Sequence, residues 1–184
     1  MQFLTARIDA VNTWLGEPFD GHPMTVTSQF GEKRDNGIGY HTGIDLAPLD
    51  GQPGTPIAFT SQGFFINWLG VYQWNRARDV NGGYGNVLLG RLSNGYTALL
   101  AHQQRFSDDI LKWLGAGYDP NLKPTFSPGE VLGYQGNTGY VIGPLPNGGF
   151  GIPADDDFIS GTHTHFEVRD QTGNLVDPRS VITG

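Results

Sequence analysis

Five histidines hold most of this chain's capacity for chemistry: His22, His41, His102, His163 and His165. His22 lies in the turn-like stretch Asp20-Gly21-His22-Pro23 and reads as a surface ring. The other four keep more suggestive company. His41-Thr42-Gly43-Ile44-Asp45 sets an imidazole and a carboxylate four residues apart. In an extended segment the side chains of 41, 43 and 45 share a face, and Gly43 leaves that face open for a shared ion. His163-Thr164-His165 repeats the device at a spacing of two, so both rings leave the same side of a strand, roughly 6.5–7 Å apart along the chain. At that separation one ring can ligate a metal while the other stands by as a proton carrier. Two histidines and an aspartate, with a fourth position open to water, make a catalytic zinc set, whereas a closed structural site takes four protein ligands. Spacing alone leaves open which of His163 and His165 is the ligand. The same donor set also suits a non-haem iron oxygenase. Two further histidines fit hydrolysis better, because they add groups that move protons.

Composition narrows the choice. The chain has 184 residues, 38% hydrophobic and 16% charged, which suits a folded domain with a real core. It has no cysteine, so thiolate metal sites, disulfides and cysteine nucleophiles are excluded. The formal net charge of −7 makes nucleic acid a poor partner, since phosphate binding relies on lysine and arginine. No apolar run approaches the roughly 20 residues of a bilayer crossing, so no membrane span is expected.

The elements that must position the histidines read as mostly β. The 28 glycines and 12 prolines are spread along the chain, as expected of short strands joined by turns. Strands are predicted over 24–30, 56–60, 64–69, 131–134 and 163–169. A hairpin is predicted over 86–89 and 96–101, with Ser93-Asn94-Gly95 as its turn. Ser107 to Leu114 reads as a helix, capped by Ser107, with two acids in its first turn and Gly115 after its end. Phe3, Leu4, Ile8, Val11, Trp14 and Leu15 recur at helical spacing, so residues 1–20 read as an amphipathic lead-in helix and 21–184 as a single domain. The first nine residues lack the basic start and apolar stretch of a secretory signal. Tyr140 to Ser160, rich in glycine and proline, reads as an ordered surface loop. It is expected to wall one side of a groove, because both its ends lie beside the histidine-bearing blocks. Asp155-Asp156-Asp157 reads as its solvated acidic tip.

Taken in order, several blocks resemble the lysostaphin-type (LytM, M23) metallopeptidases. They are Tyr40-His41-Thr42-Gly43-Ile44-Asp45-Leu46-Ala47, Gly54-Thr55-Pro56-Ile57-Ala58, Gly83-Tyr84-Gly85-Asn86, Ala101-His102 and Gly161-Thr162-His163-Thr164-His165-Phe166-Glu167-Val168. The run from Gly129 to Gly139 is similar to that family's Gly-rich block before the last strand. The resemblance runs from about Phe30 to Val168. Two departures stand out: Leu100 where the family usually has a tyrosine, and an unusually long stretch between Gly139 and Gly161.

The resemblance implies a small, mainly antiparallel β domain with two or three short helices, long loops and an open groove. It implies one Zn2+ ion held by His41, Asp45 and His165, with His102 and His163 as the catalytic pair. The implied activity is endopeptidase cleavage of bacterial peptidoglycan peptides, exerted at the cell wall. A catalytically silent wall-binding or enzyme-activating module of the same fold is the alternative. The negative charge would be repelled by an anionic wall, so attachment would need a separate wall-binding module or a carrier such as a phage particle. A phage lysin or virion-borne domain is the expected setting.

Overall fold

The computed structural model describes residues 24–34, 39–58, 63–65, 80–92, 95–115, 125–127 and 129–181. The expected lead-in helix over 1–20 and His22 lie outside them. Strands β1 (Met24–Ser28), β2 (Ile44–Pro48), β3 (Pro56–Ala58), β4 (Gly63–Phe65), β5 (Leu88–Leu92), β6 (Thr97–Leu100) and β7 (Gln103–Phe106) precede helix α1 (Asp108–Gly115). After it come β8 (Thr125–Phe126), β9 (Val131–Gln135), β10 (Gly143–Pro144), β11 (Phe150–Gly151), β12 (Thr164–Arg169) and β13 (Leu175–Val176). Two short 3-10 turns, Val80–Gly83 and Pro178–Ser180, complete the described elements. The main sheet runs β1-β2-β12-β6-β5-β4-β8, with β13 on the far end of β12; β3-β9-β7 form a second sheet. All these pairings are antiparallel.

Period-two alternation decides which side chains reach the core. In β12 Phe166 and Val168 are fully buried among Ile44, Leu46, Leu88, Leu100 and Phe106. His165 and Glu167 leave the opposite face. In β2 Ile44 and Leu46 join that core, which turns Asp45 to the same side as His165. Phe166 stands opposite Leu100, and Leu100 opposite Leu88, so one apolar row crosses three strands beneath the histidines. Burying side chains of this size contributes about 1.5–3 kcal/mol each. Phe166→Ala would therefore remove a floor under the site at a cost of about 3–5 kcal/mol. Leu100, where the related family has its tyrosine, is wholly spoken for by this core.

Most predicted elements are present with trimmed ends. The helix starts at Asp108, with the Ser107 hydroxyl accepting from the Ile110 amide. In the hairpin, Leu92 and Tyr96 close the turn and Gly95 takes a positive φ of 89° that favours glycine. Outside the long loop, four strands have no counterpart among the strands predicted from the sequence: β2, β7, β8 and β13. β7 hides in the polar run Gln103-Gln104-Arg105-Phe106, and β8 and β13 are only two residues long. The long Tyr140–Ser160 stretch carries a small hairpin, β10 with β11, where an ordered surface loop without strands was expected. Two residues per strand leave no periodicity to read.

Candidate metal centre and its histidine pair

Sheet register brings the first cluster together. His165 and Asp45 are cross-strand partners between β12 and β2, and His41 reaches in from the turn before β2. The His165 Nδ1 lies 3.0 Å from Asp45 Oδ1 and 2.9 Å from His41 Nε2, and His41 Nε2 lies 3.1 Å from the same carboxylate oxygen. Among the described residues these three form the group able to hold a metal ion. Roughly 2.0–2.1 Å bonds in a tetrahedral array imply ligand atoms about 3.3 Å apart. The observed near-equilateral triangle is close to one face of that tetrahedron. Gly43 is required here for a reason beyond an open face. A Cβ on it would stand 2.2 Å from the Phe166 carbonyl oxygen and 2.9 Å from the His165 ring.

The hydrogen bonds around the cluster fix what it offers. The His41 Nδ1 is 2.9 Å from the Gln29 carbonyl, which can only accept, so this nitrogen carries the proton. The Nε2 lone pair of the neutral ring then points at Asp45 and His165. A carboxylate and imidazole lone pairs converging on one point fit a cation. Burial alone would raise the Asp45 carboxyl. The His165 and His41 rings beside it more than offset that and hold it far below the ordinary carboxylate range. His165 is raised: burial opposes its charge, but Asp45 and Glu167 outweigh it. Arg34 approaches the other Asp45 oxygen at 3.6 Å.

The second cluster is His102 and His163, whose ring centroids are 4.6 Å apart. The His102 ring is 6.4 Å from that of His165, and the His163 Nε2 is 3.8 Å from Asp45 Oδ1. Each Nδ1 faces a backbone carbonyl, Thr138 at 2.7 Å for His102 and Gly161 at 2.6 Å for His163. Both rings therefore keep Nε2 unprotonated when neutral. Burial lowers the pKa of both; for His102 the nearby His163 and His165 push the same way, well below the ordinary imidazole value.

His102 also has the one positive φ of a non-glycine among the described residues, 61°. Such strain survives only where the surroundings over-determine it. Here the Gly83–Asn86 and Gly136–Gly139 blocks do so. The His102 and Gln103 amides donate to the Tyr84 and Asn86 carbonyls, and the Thr138 hydroxyl donates to the Gln103 carbonyl. Those Gly-rich blocks interlock so closely that a Cβ on Gly139 would meet the Gly83 carbonyl at 2.4 Å.

All five sequence-indicated site residues thus meet in one groove, lined also by Arg34, Tyr40, Tyr84, Tyr140, Ile142 and Phe150. The long loop supplies one wall of it. Ile142 is 54% and Phe150 80% exposed, large apolar groups left in solvent beside the histidines. Asp157 caps its own turn by accepting from the Ile159 and Ser160 amides. Reading by type and spacing passed over Tyr84, Glu167 and the carbonyls of Gln29, Thr138 and Gly161. Only Glu167 had a legible signal, its two-residue spacing from His165.

The chain adopts the fold of lysostaphin/LytM-type M23 catalytic domains. It matches the catalytic domain of the prophage-encoded M23 protein EnpA from Enterococcus faecalis with a TM-score of 0.52 and 20% identity, over 92% of this chain and 96% of that one. Csd3 from Helicobacter pylori matches at a TM-score of 0.53 and 21% identity, over 87% of this chain and 33% of that one. The SpoIIQ–SpoIIIAH pore-forming complex contains the same fold, at a TM-score of 0.58 and 15% identity over 95% of this chain and 93% of that one. In sequence, the DD-carboxypeptidase/endopeptidase Mpg of Neisseria meningitidis is 30% identical over 141 residues, 77% of this chain. The chain spans only 22% of that relative's length. No family model matches the chain.

Proposed function

We propose that this domain is a zinc-dependent endopeptidase acting on the peptides of bacterial peptidoglycan, at the cell wall, as part of a phage lysin or virion-associated wall-degrading protein. The observation that carries the reading is the pairing of two clusters. Three converging ligand atoms stand beside a buried imidazole, His102, and a half-buried one, His163, whose Nε2 lone pairs are kept free. The fold is shared with a pore-forming complex, so fold alone does not select catalysis. The intact histidine set does, and it speaks against a silent module. Support for the substrate comes from Mpg, named as a carboxypeptidase and endopeptidase, and support for a phage setting from prophage-encoded EnpA.

His41, Asp45 and His165 would hold the metal. Zinc bound there supplies a water of near-neutral pKa and a Lewis acid for the scissile carbonyl. The remaining steps fall to the chain. Neutral His102 and His163 offer Nε2 atoms that can take the proton of an attacking water and return it to the leaving amine. Once protonated, a ring of the pair becomes a donor for the oxygen that gains charge at the tetrahedral stage. The Thr138 and Gly161 carbonyls hold the Nδ1 protons and so keep both rings facing the groove. The apolar side chains of Tyr40, Ile142 and Phe150 give an extended peptide a surface to lie against. The test is incubation of the zinc-loaded protein with purified walls of differing cross-bridge chemistry, with released fragments read by mass spectrometry. New amino termini at one type of linkage are expected; intact walls of every type would refute the proposal.

A further inference from the structure

Directly behind the ligand cluster lies a carboxylate that the chemistry above does not use. Glu167 is 2% exposed and shares the His165 face of β12. A charge so placed is costly unless it is paired and hydrogen-bonded. Its Oε1 takes the Arg169 guanidinium at 2.7 Å, and its Oε2 accepts from the Tyr84 hydroxyl at 3.1 Å. The same Oε2 stands 3.8 Å from His165 Nε2. That nitrogen is buried and without a hydrogen-bond partner. A small rotation of either side chain would bring the pair into hydrogen-bond range. On the far side of the same ring, Nδ1 faces Asp45 and His41.

We propose that Glu167, braced by Arg169 and Tyr84, is a positioning residue that holds the His165 proton on Nε2 and so presents the Nδ1 lone pair to the metal centre. The proposal rests on the metal reading above. A neutral imidazole has one proton to place; Asp45 accepts on the Nδ1 side until a cation takes that face, and Glu167 is the acceptor on the Nε2 side. His41 gets the same service from the Gln29 carbonyl but with the nitrogens exchanged, so the two rings enter the centre by different atoms. The His165 Nε2 has no hydrogen-bond partner, backbone carbonyls included, which leaves the Glu167 side chain as its acceptor. Position 167 is the next one along the strand with the right face. Tyr84, whose ring centroid is 5.4 Å from that of His165, also lines the groove, so the brace reaches the substrate side.

The test uses the whole chain and two readouts. The first is the nitrogen-15 NMR spectrum of His165 in metal-free protein, at a pH above the titration of that ring. With Asp45 competing for the proton at Nδ1 in the absence of metal, the wild type is expected to hold a larger Nε2–H share than Glu167→Ala, and equal shares in the two proteins overturn the proposal. The second is Zn2+ affinity by chelator competition. Outer partners of metal-ligating histidines are typically worth 10- to 100-fold. Glu167→Ala is expected to lose that much along with its Nε2–H share, while Glu167→Gln, which keeps an acceptor oxygen, recovers most of both. A folded alanine variant with unchanged affinity and tautomer refutes the role. If wild-type protein binds no divalent metal yet shows an Nε2–H share that Glu167→Ala reduces, the metal reading fails while the brace stands.

Discussion

The trio His41, Asp45 and His165 and the pair His102 and His163 lie within one groove, yet their surroundings push identical side chains in opposite directions. His165 sits between two carboxylates and is raised, whereas buried His102 and half-buried His163 have backbone carbonyls as their hydrogen-bond partners and are lowered by desolvation. Residue type thus decides little about role. What decides it is whether the negative charge beside a ring outweighs the cost of burying it, as at His165, or does not, as at His102 and His163.

The largest test of that contrast is to delete members of each cluster. Alanine at His41, Asp45 or His165 is expected to abolish both Zn2+ binding, by metal analysis after dialysis, and hydrolysis. Full zinc retention in the His165→Ala protein would dissolve the distinction. Alanine at His102 or His163 should keep one zinc per chain and lower kcat by about 100-fold or more. A folded but metal-free variant would move that histidine into the first cluster.

A pH series tests the same contrast more gently. Because folding depresses the pKa of His102 and His163, their contribution to stability is full above the unfolded value of about 6.5. It is lost as pH falls below that value, since only the unfolded chain takes up protons there. Metal-free protein should therefore lose melting temperature below about pH 6.5, and His102→Ala should flatten that slope. For the loaded enzyme the same shift predicts that the acid limb of kcat/KM lies below the ordinary imidazole range. A limb at or above it would mean that the pair is not held neutral.

The smallest expected effect on zinc chemistry comes from the long loop. Replacing residues 141–159 with a short Gly/Ser linker should leave zinc content unchanged and alter the relative rates on walls of different cross-bridges. Equal preference before and after would reduce Ile142 and Phe150 to decoration.

Much of this site was legible beforehand because strands make it so. A spacing of two keeps side chains on one face, so the His163/His165 pair and the Phe166/Val168 core face could be read directly from the chain. The helix after Ser107 was legible from its cap and first-turn acids. β7 was not, because Gln103-Gln104-Arg105-Phe106 has neither alternation nor apolar bulk; it forms because β9 offers it an edge. The hairpin in the long loop was missed for the same want of pattern.

The amino-acid sequence by itself singled out the residues proposed to carry the chemistry, through their types, their spacing and the family resemblance, in a chain without cysteine. Which nitrogen each ring presents was left to the tertiary structure. That choice depends on what lies behind the ring: the Gln29 carbonyl for His41, Thr138 for His102, Gly161 for His163 and the Glu167 carboxylate for His165. Three of those acceptors are backbone atoms that every residue possesses, so no residue type marks them. Gln29 and Thr138 also lie 12 and 36 residues from the rings they orient. Only the pairing of β1 and the segment after it with β2 and His41, together with the interlocked glycine blocks, brings them into contact.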